Sequence, residues 1–420
     1  MQRRKFLKSS LLGSLSLAGL PYLGRTEVSP ATAWEGKQIL FLGDSITQAG
    51  DYINFLESSL LANAGKISSE LLNLGLASET ISGLSEEDHP FPRPYLHDRL
   101  PSILEYTSPD IIFACYGINC GIYHPFDQKI FQEYQQGITR LMKAAEAQNA
   151  ELILMTPPPY AAPVDDWQAA RADAGRNDFS YARPYLAYDD VMKKYAEWLL
   201  SLEGRVKVID LQSSMRRFQM LCYDEDFIHP NIYGHQLMAV TMLDALGWEK
   251  KVPEIELIAK PSAKSEVNSF GQTHLVQMPH LPYRILSGNQ QYDQPLAVPE
   301  VKLVLPDCPS GTFQLFDQHE LVGQYEREIL SKGIILNRKS FGEKLQKLSP
   351  WSVSEIIYRL AANKRKLYDY SLLQHIGHER PMSRKGLPFS LATMKRDEIQ
   401  MQLANLLEPR SWELNLVKVG

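Results

Sequence analysis

The sequence predicts a doubly wound α/β protein: a parallel sheet with helices on both faces, then a smaller β unit and a helical end. Three observations lead there. From Lys37 to about Gly247, short apolar runs alternate with amphipathic stretches, and the runs are continuous, as in strands buried on both faces. Each run ends in turn residues and is followed by a helix-length segment, the pattern of right-handed strand–helix–strand crossovers. After about Pro253 the sequence changes to Pro-rich, short β-like pieces and then to polar helical stretches.

At 420 residues the chain has room for two domains, or for one large domain with additions. Its 44% apolar and 22% charged content is that of a globular protein. A formal net charge of -5 gives no basic footprint for nucleic acid or an anionic membrane. Four cysteines (Cys115, Cys120, Cys222 and Cys308) are too few for a disulfide scaffold, and they lack the C-x-x-C spacing of a zinc site.

The N-terminus, "MQRRKFLKSSLLGSLSLAGL", has a basic head and a short apolar run interrupted by Ser and Gly. That run is too short for a stable membrane span and suits a signal peptide. Arg3-Arg4-Lys5-Phe6-Leu7-Lys8 resembles a twin-arginine export signal, and Ala31-Thr32-Ala33 offers a cleavage site before Trp34. Residues 1–33 are therefore expected to be a leader, with the mature protein periplasmic or secreted. They hold five basic residues and one acid, so their removal leaves the remainder more acidic.

The expected strands are "KQILFLG", "SELLNLG", "PDIIFACYG", "AELILMTPPP" and "RVKVIDL". Amphipathic stretches lie between them. In "KIFQEYQQGITRLMKAAEAQN", Ile130, Tyr134, Ile138, Leu141 and Met142 share one helical face. These elements make residues 34–251 one domain. Residues 252–325 read as a small β subdomain, and 326–420 as a helical region. There Ser352 and Glu355 have capping-box spacing, "NKRKLYDY" reads as a solvated face, and "LATMKRDEIQMQLANLL" closes the chain.

Ligands of such sheets bind beyond the carboxyl ends of the strands. Ser45 in "FLGDSITQAGDY", Gly75, and Gly117 to Asn119 all follow strands and should share that rim. A serine hydroxyl is a weak nucleophile without an adjacent base, and a carboxylate usually orients that base. In "CYDEDFIHPNIYGHQ", Asp226 and His229 stand three apart before a helix, so the carboxylate can reach one imidazole nitrogen. Alone, D-x-x-H reads equally as an acidic loop beside a helix start. Gly75 and Asn119 offer a backbone N–H and a side-chain amide for an oxyanion, or are plain turn residues.

Four blocks in order, "GDSIT", "NLGLASE", "YGIN" and "DFIHP", resemble the SGNH/GDSL hydrolase superfamily over roughly residues 37–247. The resemblance implies a three-layer α/β/α, flavodoxin-like parallel sheet and hydrolysis of carboxylic esters, with no metal and no organic cofactor. It makes Ser45 the nucleophile, His229 the general base and Asp226 its orienting partner. Ser45, Gly75 and Asn119 become the oxyanion donors, while Asp44 orders the turn. Cys120 stands where many relatives carry Asp.

The expected substrate is a small-molecule or polysaccharide ester, with removal of acetyl groups from carbohydrate favoured by the leader and the extra β subdomain. A lipid esterase or thioesterase, and an inactive glycan-binding protein, are the alternatives. His89, Arg93 and Tyr123 line either a pocket mouth or a rigid surface loop. Cys120 and Cys222, both on rim loops, allow a disulfide. His375 and His378 suggest a metal, without a Cys partner beside them.

Overall fold

In this computed structural model the apolar run QILFLG forms strand β1 (Gln38–Gly43), whose residues from Ile39 onward are all buried. The structure describes residues 34–66, 69–248, 255–261, 272–277, 279–281, 283–285, 301–317, 320–336, 350–378 and 385–419. The expected leader, residues 1–33, lies outside the described residues.

Beyond β1 the chain alternates as the sequence predicts. Helices α1 (Ser45–Ala49) and α2 (Asp51–Ala64) lead to β2 (Glu70–Asn73), and α3 (Leu96–Thr107) leads to β3 (Ile111–Cys115). Helix α4 (Gln128–Ala147) precedes β4 (Glu151–Met155), and α5 (Trp167–Ala172) and α6 (Tyr188–Leu200) precede β5 (Lys207–Ile209). Helices α7 (Leu211–Arg216), α8 (Gln219–Cys222) and α9 (Ile232–Ala245) follow.

The five strands pair in parallel in the order β2-β1-β3-β4-β5. The order reverses between β1 and β3, which puts the topological switch point, where ligands of such sheets bind, after these two strands. Register places Phe41 beside Phe113, with the rings stacked 5.0 Å apart, and Gly43 beside Cys115. On α4 the buried face is Phe131, Tyr134, Gly137, Ile138, Leu141 and Ala145, so Ile130 and Met142 sit at its margins. Gly137 is required there, because a Cβ would lie 2.0 Å from the Ile81 carbonyl oxygen.

The C-terminal half departs from its expected boundary. Strands β6 (Ile255–Ile258), β7 (Lys260–Pro261), β8 (Gln272–Gln277), β9 (Val301–Val304), β10 (Thr312–Asp317) and β11 (Glu320–Glu326) lie within or at the edge of the predicted β subdomain. Residues 326–420 also contain α10 (Arg327–Lys332), β12 (Ile334–Leu336), α11 (Pro350–His375), α12 (Phe389–Leu407) and β13 (Ser411–Val419). The last strand is central in an antiparallel sheet ordered β11-β10-β13-β8-β7; the other sheet is β12-β9-β6. The expected helical tail is thus corrected. Trp412, Leu414 and Leu416 alternate inward, and the Trp412 indole N–H donates to Asp317 at 3.0 Å. That period of two is a strand pattern.

Helix α11 brings two further corrections. It already runs from Pro350, so Ser352 and Glu355 lie inside it and form no capping box; Glu355 instead accepts from Arg359. The "NKRKLYDY" stretch is no solvated face. Lys364, Arg365 and Asp369 are buried against α2 and β2, with Lys364 and Arg365 both paired to Glu57. Arg365 also donates to Asn54, Ile53 and Leu71 oxygens.

Candidate active site

Ser45 is the first residue of α1, directly past the end of β1. Asp44 caps that helix by accepting from the Ile46 N–H at 3.0 Å, a role an Asp at this position fills well. Burial raises the Asp44 carboxyl to about 6, against the lowering effect of that hydrogen bond. Asp44 therefore orders the turn, as expected.

The Ser45 hydroxyl lies 2.7 Å from His229 Nε2, although 184 residues separate them in sequence. His229 Nδ1 lies 2.6 Å from Asp226 Oδ2. The other carboxylate oxygen of Asp226 accepts from the backbone N–H groups of Ile228 (2.8 Å) and His229 (3.1 Å). Desolvation acts to raise the Asp226 carboxyl, but the His229 hydrogen bond and the two amides hold it below its ordinary value. An ionised Asp226 fixes the imidazole by its Nδ1–H and leaves Nε2 toward the serine. The pair is open to solvent, with side-chain exposure of 45% for His229 and 55% for Asp226.

Asn119 is buried behind β3 and held at both ends. Its Oδ1 accepts from the Tyr123 hydroxyl at 3.1 Å, and its Nδ2 donates to the Glu79 carbonyl at 3.2 Å. The amide carries a second N–H, which keeps one donor available. Tyr123 and its neighbour Ile122 both adopt left-handed backbone conformations, the kind of local strain that collects at functional loops. Cys120, where many relatives carry a carboxylate, is fully buried; its sulfur accepts from the Ile81 N–H and burial pushes its thiol up to about 12.

The Gly75 N–H donates to Asn73 Oδ1 at 3.0 Å. Gly75 also leaves room for the nucleophile helix: a Cβ would meet the Gln48 nitrogen at 2.6 Å and the Thr47 backbone at 2.8 Å. In the same loop Ser78 is left-handed (φ 66°), and no described residue accepts from its N–H. A glycine there would have flagged the conformation; a serine hides it.

Of the other expected residues, Arg93 is buried and binds Glu86 through two nitrogens at 2.5 and 2.9 Å, with a third contact to the Ser78 carbonyl. His89 Nδ1 lies 2.5 Å from the Phe91 carbonyl. These contacts make "DHPFPRP" a rigid brace for the Ser78 loop. The Cys120–Cys222 disulfide is absent: all four cysteines are free and buried, and Cys222 Sγ faces the Met215 carbonyl. His375 stacks on Phe389 and His378 Nε2 lies 2.9 Å from Ser102 Oγ.

A serine hydroxyl, an imidazole and a carboxylate in one hydrogen-bonded line, on the rim of a 2-1-3-4-5 sheet, define a hydrolase of the α/β/α class. Residues 41–237 match the GDSL-like lipase/acylhydrolase family, as the sequence blocks imply, and this match supports a carboxylic ester hydrolase. Among solved structures, the chain is similar to a gut microbial diltiazem-metabolizing enzyme at 17% identity, covering 92% of this chain and 98% of that one with a TM-score of 0.61. This likeness in fold extends past the hydrolase domain. A catalytic mutant of an acetylxylan esterase from Geobacillus stearothermophilus matches at 19% identity over 51% of this chain and 96% of its own, TM-score 0.39. No curated protein matches the chain.

Proposed function

We propose that Ser45 is the nucleophile, His229 the general base and Asp226 the residue that orients it, in a two-step ester hydrolysis. His229 Nε2 takes the Ser45 proton as the oxygen attacks the ester carbonyl. The tetrahedral oxyanion is held by the Ser45 N–H and the free Asn119 amide N–H, with Gly75 the third expected donor. Collapse expels the alcohol, protonated by His229, and water then cleaves the acyl-enzyme. The observation that carries this reading is the continuous Ser45–His229–Asp226 line at 2.7 and 2.6 Å. It also speaks against a binding-only role.

The finer reading is removal of short acyl groups, acetyl first, from the alcohol groups of a carbohydrate outside the cytoplasm. It is supported by the leader-like residues 1–33 and by the solvent-open His229–Asp226 pair, which admits a bulky alcohol. An ester of an apolar alcohol is the second reading, favoured by a largely apolar cavity beside α1. Hydrolysis of 4-nitrophenyl acetate by the purified protein and by Ser45→Ala tests the mechanism. The reading expects turnover in the first and its loss in the second, with circular dichroism unchanged; equal rates in both remove Ser45 from the reaction. Release of acetate from acetylated xylan then separates the two substrate readings.

A further inference from the structure

Residues past the hydrolase domain reach its active-site rim. A cavity of about 460 Å³ opens between α1 and the β2 loop on one side and α11 and residues 385–387 on the other. Its hydrolase wall includes Gln48, Ala49 and Gly75. Gln48 and Ala49 follow Ser45 by three and four residues, so all three lie along one face of the same helix. The cavity therefore opens within one helical turn of Ser45, which is not itself among the lining residues.

The opposite wall is anchored. Asp369, on α11, accepts from the Asn73 N–H at 3.0 Å, and Asn73 Nδ2 donates to the Thr47 carbonyl at 2.6 Å. This line ties α11 to the nucleophile helix through buried groups, which makes the cavity preformed rather than a gap between loosely docked parts.

Its exposed surface is mostly apolar, with Ala49, Ala362, Leu367, Leu373 and Leu387 set among polar and charged residues, and its volume is that of a small-molecule site. The ionisable lining groups sort into buried and exposed ones. Asp369 is buried and accepts from the Asn73 N–H. Arg365 is saturated by Glu57, Asn54 and backbone carbonyls. Lys366 and Lys385 also line the cavity, are exposed, and have no carboxylate partner among the described residues. In a chain of net charge -5, two unpaired ammonium groups at the edge of an apolar recess select for a negative group on whatever fills it.

We propose that this cavity is the subsite for the alcohol portion of the ester, and that it takes an apolar, ring-sized group carrying a negative charge at its outer edge. The assignment rests on Ser45 being the nucleophile, and it deepens the second substrate reading. It also gives residues 350–387 a role in specificity.

Salicylate, an apolar ring with a carboxylate, is the binding probe, and acetylsalicylate, phenyl acetate and ethyl acetate are the esters. Salicylate titrated into the Ser45→Ala protein is expected to bind saturably, about tenfold or more weakly when Lys366→Glu/Lys385→Glu or Ala362→Leu is added. In the active protein the lysine pair change should lower the acetylsalicylate-to-phenyl acetate ratio of kcat/KM about tenfold. Ala362→Leu, which fills the recess, should lower the phenyl acetate-to-ethyl acetate ratio by a similar factor. The double change Lys129→Glu/Lys143→Glu, on the exposed side of α4, should leave both ratios in place and so separates a local effect from net charge. Salicylate binding that is absent, or equal in all variants, overturns the subsite. Hydrolysis by Ser45→Ala at the wild-type rate overturns the catalytic reading instead, and the binding measurement is independent of it.

Discussion

The two flanks of Ser45 are built in opposite ways. On one side His229 and Asp226 are half-exposed and held by a three-residue turn, with four short hydrogen bonds and little packing. On the other, Asn73, Asp369, Arg365, Lys364 and Glu57 form a buried network spanning more than 300 residues of sequence. The exposed flank has the groups placed for chemistry, and water already solvates them, so their loss leaves no orphaned charge. In the buried flank each group satisfies another in a low-dielectric setting, and removal of one strands its partners. Activity and stability should accordingly separate by flank.

The largest expected effect tests the exposed side. Ser45→Ala should lower kcat/KM for 4-nitrophenyl acetate by on the order of 10⁴-fold or more while leaving the urea midpoint unchanged. A variant that loses stability along with activity breaks the comparison. Asp226→Asn should cost ~10³–10⁴-fold in kcat by removing the charge that fixes the His229 tautomer, again at constant stability.

Glu57→Ala probes the buried side. It leaves Lys364 and Arg365 without their carboxylate and should destabilise the fold by about 3–5 kcal/mol, read from denaturant midpoints. A loss below about 1 kcal/mol would mean that water reaches these groups. Asn119→Ala comes next, with an expected loss of ~10²-fold in kcat from one oxyanion donor and a smaller change in KM.

The finest test uses pH. Burial raises the Asp369 carboxyl to about 7, opposed by Arg365 and Lys364 and reinforced by Glu57. Its folded value thus lies above its ordinary 3.8, so the unfolded chain releases this proton first as pH rises. The stability it contributes is complete below about pH 4 and is lost by about pH 7. The stability of wild type minus Asp369→Asn should therefore fall across that window. A difference that rises with pH would show Asp369 ionised in the fold throughout.

The hydrolase half was legible because its signals are local. Continuous apolar strands, turn residues after each, and the blocks around Ser45, Asn119 and His229 all lie within short windows, and 184 residues of separation did not blur the Ser45–His229 pairing. The failures had different causes. Lys364 and Arg365 look like surface residues because their carboxylate, Glu57, lies on α2 some 300 positions earlier. The strand at Ser411–Val419 does carry a period-two pattern, but its partners are remote in sequence, and the long amphipathic helix before it dominates the reading.

That strand sets an order of events during synthesis. All strands of the hydrolase sheet have left the ribosome once residue 209 emerges, and they pair with near neighbours. The antiparallel sheet has its middle position reserved for β13, the last of its strands to be made, so β10 and β8 must wait with open hydrogen-bonding edges until it arrives. Stalled or truncated chains lacking residues 411–419 would present those edges to each other, which makes this sheet the point where incomplete copies of the protein are most prone to aggregate.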